Sequence, residues 1–400
     1  GQWLDTDGDD SRIVEQDAMH NFGLGFLSNA PGPLDTRREM FDVHAQVEYQ
    51  GAYASAWLLK NDTGTGAGAA QALSNNDYDK VESLTLSAGY KWQIQDSLNA
   101  DISLFHQNYD ESVYFEIYPP GMALPRAFNE QGQATAFTVF TDGLIGAPDI
   151  HDTKYGVNVV TTYTGVDKHN LRLELGYRKT KAEPEELKNF GAGVLDGSED
   201  FVDASLTDVT GTPYIYMFHQ QRELKFFSVQ DEWQLASDWE LTAGVRYDHY
   251  SDFGSTVNPR LALVWQTRHD LTTKLLYGEA FRAPSFGELY AVNNPITFGN
   301  PNLSPETVKT YEIAWDYRPH FDWQIKAGVF SYQAEELITH VPQGNGLNLA
   351  QNVGSQDGHG VELETYWQPN ESLELKLGYA WQDSEDGETG QTIANAPGSP

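Results

Sequence analysis

Leu373, Leu375, Leu377, Tyr379 and Trp381 alternate without a break with Glu374, Lys376, Gly378, Ala380 and Gln382. Successive side chains of an extended backbone point to opposite faces, so this stretch carries large apolar groups on one face and polar or small groups on the other. The same period sets Tyr311, Ile313, Trp315 and Tyr317 against Glu312, Ala314, Asp316 and Arg318. It sets Leu241, Ala243, Val245 and Tyr247 against Thr242, Gly244, Arg246 and Asp248, and Leu171, Leu173, Leu175 and Tyr177 against Arg172, Glu174, Gly176 and Arg178. A helical bundle cannot bury a period of two, so the chain is expected to be all-β and antiparallel. Aromatic residues recur at the strand ends, where a lipid–water interface would hold them.

A soluble sandwich could show the same alternation, and the connections decide between the two. Brief turns fall near Gln93 to Ser97, Gly165 to Lys168, Ala236 to Asp238, Gln266 to Asp270, Pro319 to Phe321 and Pro369 to Glu371. Long polar excursions lie between them, near Pro119 to Thr153, Lys181 to Gln221, Ser285 to Ser304 and Ala334 to Asp357. Short turns at one end and long loops at the other are the habit of transmembrane barrels, with the long loops outside the cell. The alternation gives roughly 15 strands, least distinct before Val81, where the Gly/Ala-rich stretch from Gly64 to Ala70 interrupts it.

Composition agrees with a barrel. In 400 residues, 40% of them hydrophobic, no apolar run reaches the roughly 18 residues of a spanning helix, whereas a spanning strand needs only about 9–11 alternating residues. The mean hydropathy of -0.52 therefore fits a strand-crossed membrane protein. With no Cys, disulfide frameworks, thiolate metal sites and cysteine nucleophiles are excluded. A net charge of -33 argues against a nucleic-acid partner, since phosphate binding needs clustered Lys and Arg. The start lacks a basic-then-apolar export signal and the end lacks a terminal aromatic strand, so the chain is expected to be an internal piece.

Two boxes, FRAP (Phe281 to Pro284) and NPNL (Asn300 to Leu303), bracket one of the long loops. Pro284 is expected to end a rising strand because it cannot donate to the ladder, Pro301 and Pro305 to stiffen the re-entry, and Gly299 to supply a positive φ beside Asn300. Arg282 is the candidate ligand contact, since a cation at a loop base favours a carboxylate or anionic chelate. Tyr290 and Phe298 could stack on a planar ligand or pack within the loop, and Asn300 completes this candidate ligand-binding set.

These boxes, with GVRYDHYSDFG (Gly244 to Gly254), NPRLALVW (Asn258 to Trp265), YGEAFRAPSFGELY (Tyr277 to Tyr290), GNPNLSPET (Gly299 to Thr307), HGVELETYW (His359 to Trp367) and ANAP (Ala394 to Pro397), resemble the TonB-dependent outer-membrane receptors. The resemblance is strongest from about Phe227 to Pro397 and rests only on pattern upstream. It implies part of a barrel of about 22 strands, residues 1–400 forming one barrel domain with the N-terminal plug and last strands outside this chain. It implies capture by extracellular loops in the outer membrane of a Gram-negative bacterium, contact with outer-membrane lipid, and import energised by the TonB-ExbB-ExbD system through that plug. The expected cargo is a ferric siderophore; heme, cobalamin or oligosaccharide receptors of the same family are alternatives. Heme receptors place a His between the boxes, and here that segment has none, though His340 in the next long loop could approach. An outer-membrane enzyme or a secreted β-rich adhesin is the reading from another class.

Asp5, Asp7, Asp9 and Asp10 around Gly8 read as a candidate Ca²⁺ loop or a plain acidic turn, without the distal bidentate Glu; no other cofactor is required. Gly64, Gly66 and Gly68 lack the strand–helix context of a dinucleotide fingerprint. No GxSxG, HExxH or CxxC occurs, and the spacing of Glu362 and Glu364 follows from the pleat, so no catalytic residue is assigned and no enzyme is expected.

Overall fold

A computed structural model describes residues 1–67, 71–294, 297–343 and 347–393; the ANAP motif, Gly68 and the end of the Gly/Ala stretch lie outside these. The long strands are Gln2–Thr6, Arg38–Tyr49, Ala52–Gly64, Tyr78–Gln95, Leu98–Tyr118, Leu144–Tyr163, His169–Lys188, Gln220–Ala236, Trp239–Tyr250, Gly254–Arg268, Leu271–Arg282, Glu306–His320, Trp323–Pro342, Asn348–Asn370 and Leu373–Asp386. Each pairs antiparallel with the next. They make up a 17-stranded sheet with two short additions, Thr207–Asp208 and Thr297–Phe298. The expected all-β antiparallel barrel wall is what forms, and its regular strands begin well before Val81.

Connections at one end are brief: residues 50–51, 96–97, 164–168, 237–238, 269–270, 321–322 and 371–372. At the first of these Gln50 and Gly51 take φ of 49° and 86°, the left-handed pair whose twist matches a two-residue hairpin. At the other end lie 65–77, 119–143, 189–219, 251–253, 283–305 and 343–347. The expected loop from Ala334 to Asp357 is mostly strand, because Trp323–Pro342 and Asn348–Asn370 stay paired far above the turns, with shifts of register at Ala334/Leu337 and Leu337/Ile338. Ladder pairing satisfies backbone groups in water as well as in lipid, so polar composition did not end these strands.

The apolar sides of the strands face outward and uncovered. Leu104 (59% exposed), Leu175 (47%), Val257 (58%) and Leu377 (66%) stand on the same face as Val229, Val245, Ile313 and Val361. A continuous apolar surface of this extent is unstable in water and suited to lipid, where the ladder pairs backbone donors and acceptors between neighbouring strands. At the brief-turn end Trp239 stacks on Trp265 (centroids 4.8 Å), His169 on Trp233 (5.2 Å), and Trp323 lies 6.2 Å from Trp367. This is the aromatic belt expected at a membrane interface. The inner face is polar. There the Phe226 ring covers Gly176, where a Cβ would come within 2.0 Å of the ring, and the Arg246 guanidinium lies 4.1 Å above Phe226.

Packed hydrophobic clusters occur at the loop end. One joins Ile117, Phe140, Leu144 and Phe190; the other joins Leu289, Leu303 and Ala350. The long loops are therefore folded bodies with small cores, seated on the wall.

Candidate functional site

The segment between the two boxes opens with Ser285-Phe-Gly-Glu288, an S-x-x-E capping box that starts the helix Phe286–Tyr290. Ser285 Oγ accepts from the Glu288 N–H (3.1 Å) and Glu288 Oε2 accepts from the Ser285 N–H (2.7 Å). Arg282, the last residue of its strand, extends a guanidinium into this corner. It donates to both oxygens of Glu288 (3.0 and 2.9 Å) and both of Glu306 (2.6 and 2.7 Å). Glu306 also accepts from the Ile338 N–H at 2.8 Å. One side chain thus ties the first box, the loop helix and the strand after the second box.

The charges respond to this arrangement. Burial alone would raise the Glu288 carboxyl, but Arg282 and the Ser285 N–H outweigh it and hold the group below its usual range. Glu306 is lowered first by its Arg282 hydrogen bonds, and the two carboxylates hold the Arg282 guanidinium protonated well above its ordinary pKa. Both forks of Arg282 are spent on protein carboxylates, and 46% of its side chain remains in contact with solvent.

A second arginine, which the sequence did not single out, supports the loop from the neighbouring wall. Arg222 bonds Asp252 (2.7 Å) and the Pro284 carbonyl (2.9 Å), with its guanidinium 5.8, 5.0 and 4.7 Å from the rings of Tyr250, Phe253 and Phe286. The second box docks through Asn300: its N–H donates to the Glu288 carbonyl (2.8 Å) and its side-chain amide to the Ala350 carbonyl (3.1 Å). Gly299 does not take the expected positive φ. Its smallness serves packing instead, since a Cβ there would lie 2.6 Å from the backbone nitrogens of Tyr290 and Ala291.

Three loops fuse through such contacts. The Val292 N–H donates to the Tyr216 carbonyl (2.7 Å), and Asn293 donates to the carbonyls of Pro213 (2.8 Å) and Ile215 (2.9 Å). Thr297–Phe298 pairs with Asn348–Leu349, and Asn352 bridges to Ser304 and the Glu336 carbonyl. The loop from residue 189 is anchored by a buried pair: Lys188 Nζ meets Glu186 (3.2 Å) and the Tyr214 carbonyl (2.7 Å), and Glu186 accepts from the Tyr216 N–H (2.7 Å).

Of the expected ligand contacts, Arg282 and Asn300 meet in this corner and Tyr290 packs against the Leu289 cluster. Phe298 sits on the short strand beside Leu349, and His340 is an exposed strand residue paired with Ala350. The Asp5, Asp7 and Asp9 set is not gathered into a cage. Asp5 pairs with Glu39 in the first strand, Asp9 accepts from Ser11, and among the described residues no group of three or more His, Asp or Glu could hold a metal ion. The capping box was a readable signal for Glu288; nothing in the sequence marked Arg222 or Glu306 as partners across the fold.

An uncovered apolar outer face, an aromatic belt, brief turns at one end and folded loops at the other define an outer-membrane β-barrel protein. The chain belongs to the TonB-dependent receptor family: the family model described as "TonB dependent receptor-like, beta-barrel" matches residues 28–399. Its members are receptors and transporters, not enzymes, in the outer membrane of Gram-negative bacteria. The chain is 31% identical over 195 residues to the heme/hemopexin utilization protein C of Haemophilus influenzae, covering 40% of this chain and 27% of that protein. It is 25% identical over 248 residues to the iron-regulated outer membrane virulence protein of Vibrio cholerae (58% and 38%). Among solved structures, the siderophore receptor PirA of Acinetobacter baumannii superposes with a TM-score of 0.64 at 12% identity, over 98% of this chain and 58% of that one. The ferric yersiniabactin uptake receptor FyuA of Yersinia pestis superposes at 0.61 and 14% identity (100% and 58%). The chain thus spans 27% to 58% of the length of these relatives.

Proposed function

We propose that this chain is the ligand-capturing barrel portion of a receptor that binds a ferric siderophore at its extracellular loops and imports it with energy delivered by the TonB-ExbB-ExbD system. A plug and the remaining barrel strands would come from the rest of the parent protein. The observation carrying this reading is the fused loop body at the barrel mouth, in which the FRAP and NPNL boxes, residues 205–219 and residues 347–352 hold one another in place. Such a body presents preformed surface to a chelate with little ordering left to do on binding. In this reading Tyr290, Phe298 and Asn300 contact ligand, and Arg282 positions them.

A heme cargo is the second reading, favoured by the heme/hemopexin relative; His340 would be its axial ligand. Titrating the full-length parent protein in detergent with ferric siderophores, heme and cobalamin, read by tryptophan fluorescence, separates the two. Saturable quenching by a ferric chelate alone supports the first. Quenching by heme that is lost in His340→Ala replaces it with the second, and no response to any of them removes both.

A further inference from the structure

The segment NPRLALVW carries a proline inside a long strand, and the wall divides there. Gly254–Arg268 and Leu271–Arg282 pair from Arg268 opposite Leu271 up to Arg260 opposite Gly278, and no further. Both strands continue upward. On one side Gly254 to Pro259 stay paired with Val245 to Tyr250; on the other, Glu279 to Arg282 stay paired with Glu306 to Lys309. Continued in the same register, Glu279, Ala280, Phe281 and Arg282 would face Pro259, Asn258, Val257 and Thr256, and none of these pairs forms among the described residues. Pro259 supplies the reason. It has no N–H, and its strand's ladder toward Trp239–Tyr250 runs past it unbroken, so the missing donor lies on the side of Glu279.

The split starts within the membrane and ends above it. Gly278 lies 7 positions and Arg282 11 positions after Leu271. At about 3.3 Å per residue and a tilt of about 40°, they stand about 18 and 28 Å above the brief turns, against an apolar band about 25 Å tall. At the foot of the split, a cavity of about 160 Å³ is lined by residues that include Ser228, Gln230, Arg246, Asn258, Arg260 and Glu279. Its polar lining admits water to backbone groups that the ladder leaves unpaired, which lipid could not satisfy. At the top, side chains join the two edges. Arg222 donates to Asp252 on one and to the Pro284 carbonyl on the other, and Tyr250 meets Phe281 edge-on at 6.0 Å. Higher still, Val292 and Asn293 donate across the same line to the carbonyls of Tyr216, Pro213 and Ile215.

We propose that this split is a hinge. The upper wall parts along it, and the strands that carry residues 283–305 lean outward from Arg260 and Gly278 to widen the mouth. Arg222, packed on Tyr250, Phe253 and Phe286, is the latch that holds the mouth closed, with Asn293 above it. Parting here breaks those contacts and no ladder pairing. Parting one strand earlier would break a ladder that runs all the way from Trp239 to Tyr250. The gating role rests on the receptor reading above; the hinge itself does not.

The test uses the full-length parent protein in lipid nanodiscs without cargo, read by pulsed electron paramagnetic resonance. Nitroxides at Lys225→Cys and Glu335→Cys, both exposed, straddle the split. A control pair at Glu82→Cys and Lys225→Cys spans ladders that are paired at that height. Adding Arg222→Ala/Asn293→Ala is expected to shift the first pair to longer distances, with the ratio of open to closed rising about tenfold or more from the hydrogen bonds lost. Arg222→Lys should shift it less, and the control pair should not move. In cells, bridging Asn258→Cys to Ala280→Cys with a short bis-maleimide should abolish iron uptake from a ferric chelate. Bridging Ala262→Cys to Leu276→Cys, register partners below the split, should leave uptake intact. An unmoved first pair, or a shift shared by the control pair, overturns the hinge. A shift combined with uptake that survives the upper bridge overturns its role at the mouth. No uptake even without a bridge contradicts the receptor reading, and the distances alone then decide the hinge.

Discussion

Removing Arg282 separates a scaffolding role from direct ligand contact. In Arg282→Ala four charge-assisted hydrogen bonds disappear, and Glu288 and Glu306 are left facing each other without the guanidinium between them. Hydrogen bonds to charged groups contribute about 1.5–3 kcal/mol each when buried. This arginine is 46% exposed, so screening reduces the whole clamp to about 2–3 kcal/mol. The affected process is undocking of the loop, because the strand ladders on either side do not depend on it. Opening of the helix Phe286–Tyr290 should therefore rise about 30- to 160-fold, read as faster amide hydrogen exchange there with the barrel strands unchanged. Glu288 and Glu306 have lowered pKa values when docked, so their contribution is complete above the unfolded carboxyl pKa of about 4.3 and is lost as pH falls through the docked values. The wild-type loop should accordingly hold through the ordinary carboxylate range and loosen as pH falls below it. Unchanged exchange in Arg282→Ala, with ligand affinity nevertheless abolished, would refute the clamp and make Arg282 a ligand contact.

Three further outcomes are expected. Gly299→Ala places a methyl group against the backbone of Tyr290 and Ala291, which cannot rotate away; it should weaken loop docking by about 1–3 kcal/mol, visible as protease cleavage within residues 283–305. Lys188→Met leaves Glu186 buried without its cation and should destabilise the loop from residue 189 by about 3–5 kcal/mol, measured by its hydrogen exchange; Lys188→Arg should cost less. Val245→Arg on the outer face should destabilise the lipid-folded state by about 2–4 kcal/mol, whereas Gln230→Arg on the inner face should change it little in the same urea titration.

The wall was legible in the sequence because lipid on one side and water on the other impose a period of two on every strand, as at Leu373 to Gln382. The brief turns were legible for the same reason, as interruptions of that period. Strand length above the membrane was not: residues 334–342 and 348–357 continue the ladder, with two shifts of register around Leu337, although their composition is that of a loop. The loop chemistry was half legible. FRAP and NPNL drew attention to Arg282 and Asn300, but a guanidinium inviting an anion looks the same in sequence whether that anion is a ligand or Glu306, which is 24 residues away. Gly299 shows the same ambiguity, since a glycine required for close backbone approach cannot be told from one required for φ. Arg222 escaped notice because its partners, Asp252 and Pro284, come together only when neighbouring strands align.

Uptake of radiolabelled iron by cells tests the central claim most directly. A host lacking its own receptors for the chelate, expressing the full-length parent protein, should accumulate iron from a ferric siderophore when TonB is present and not when it is deleted. Accumulation that is the same in both hosts, or absent for every ferric chelate while the protein is folded in the outer membrane, would contradict the account.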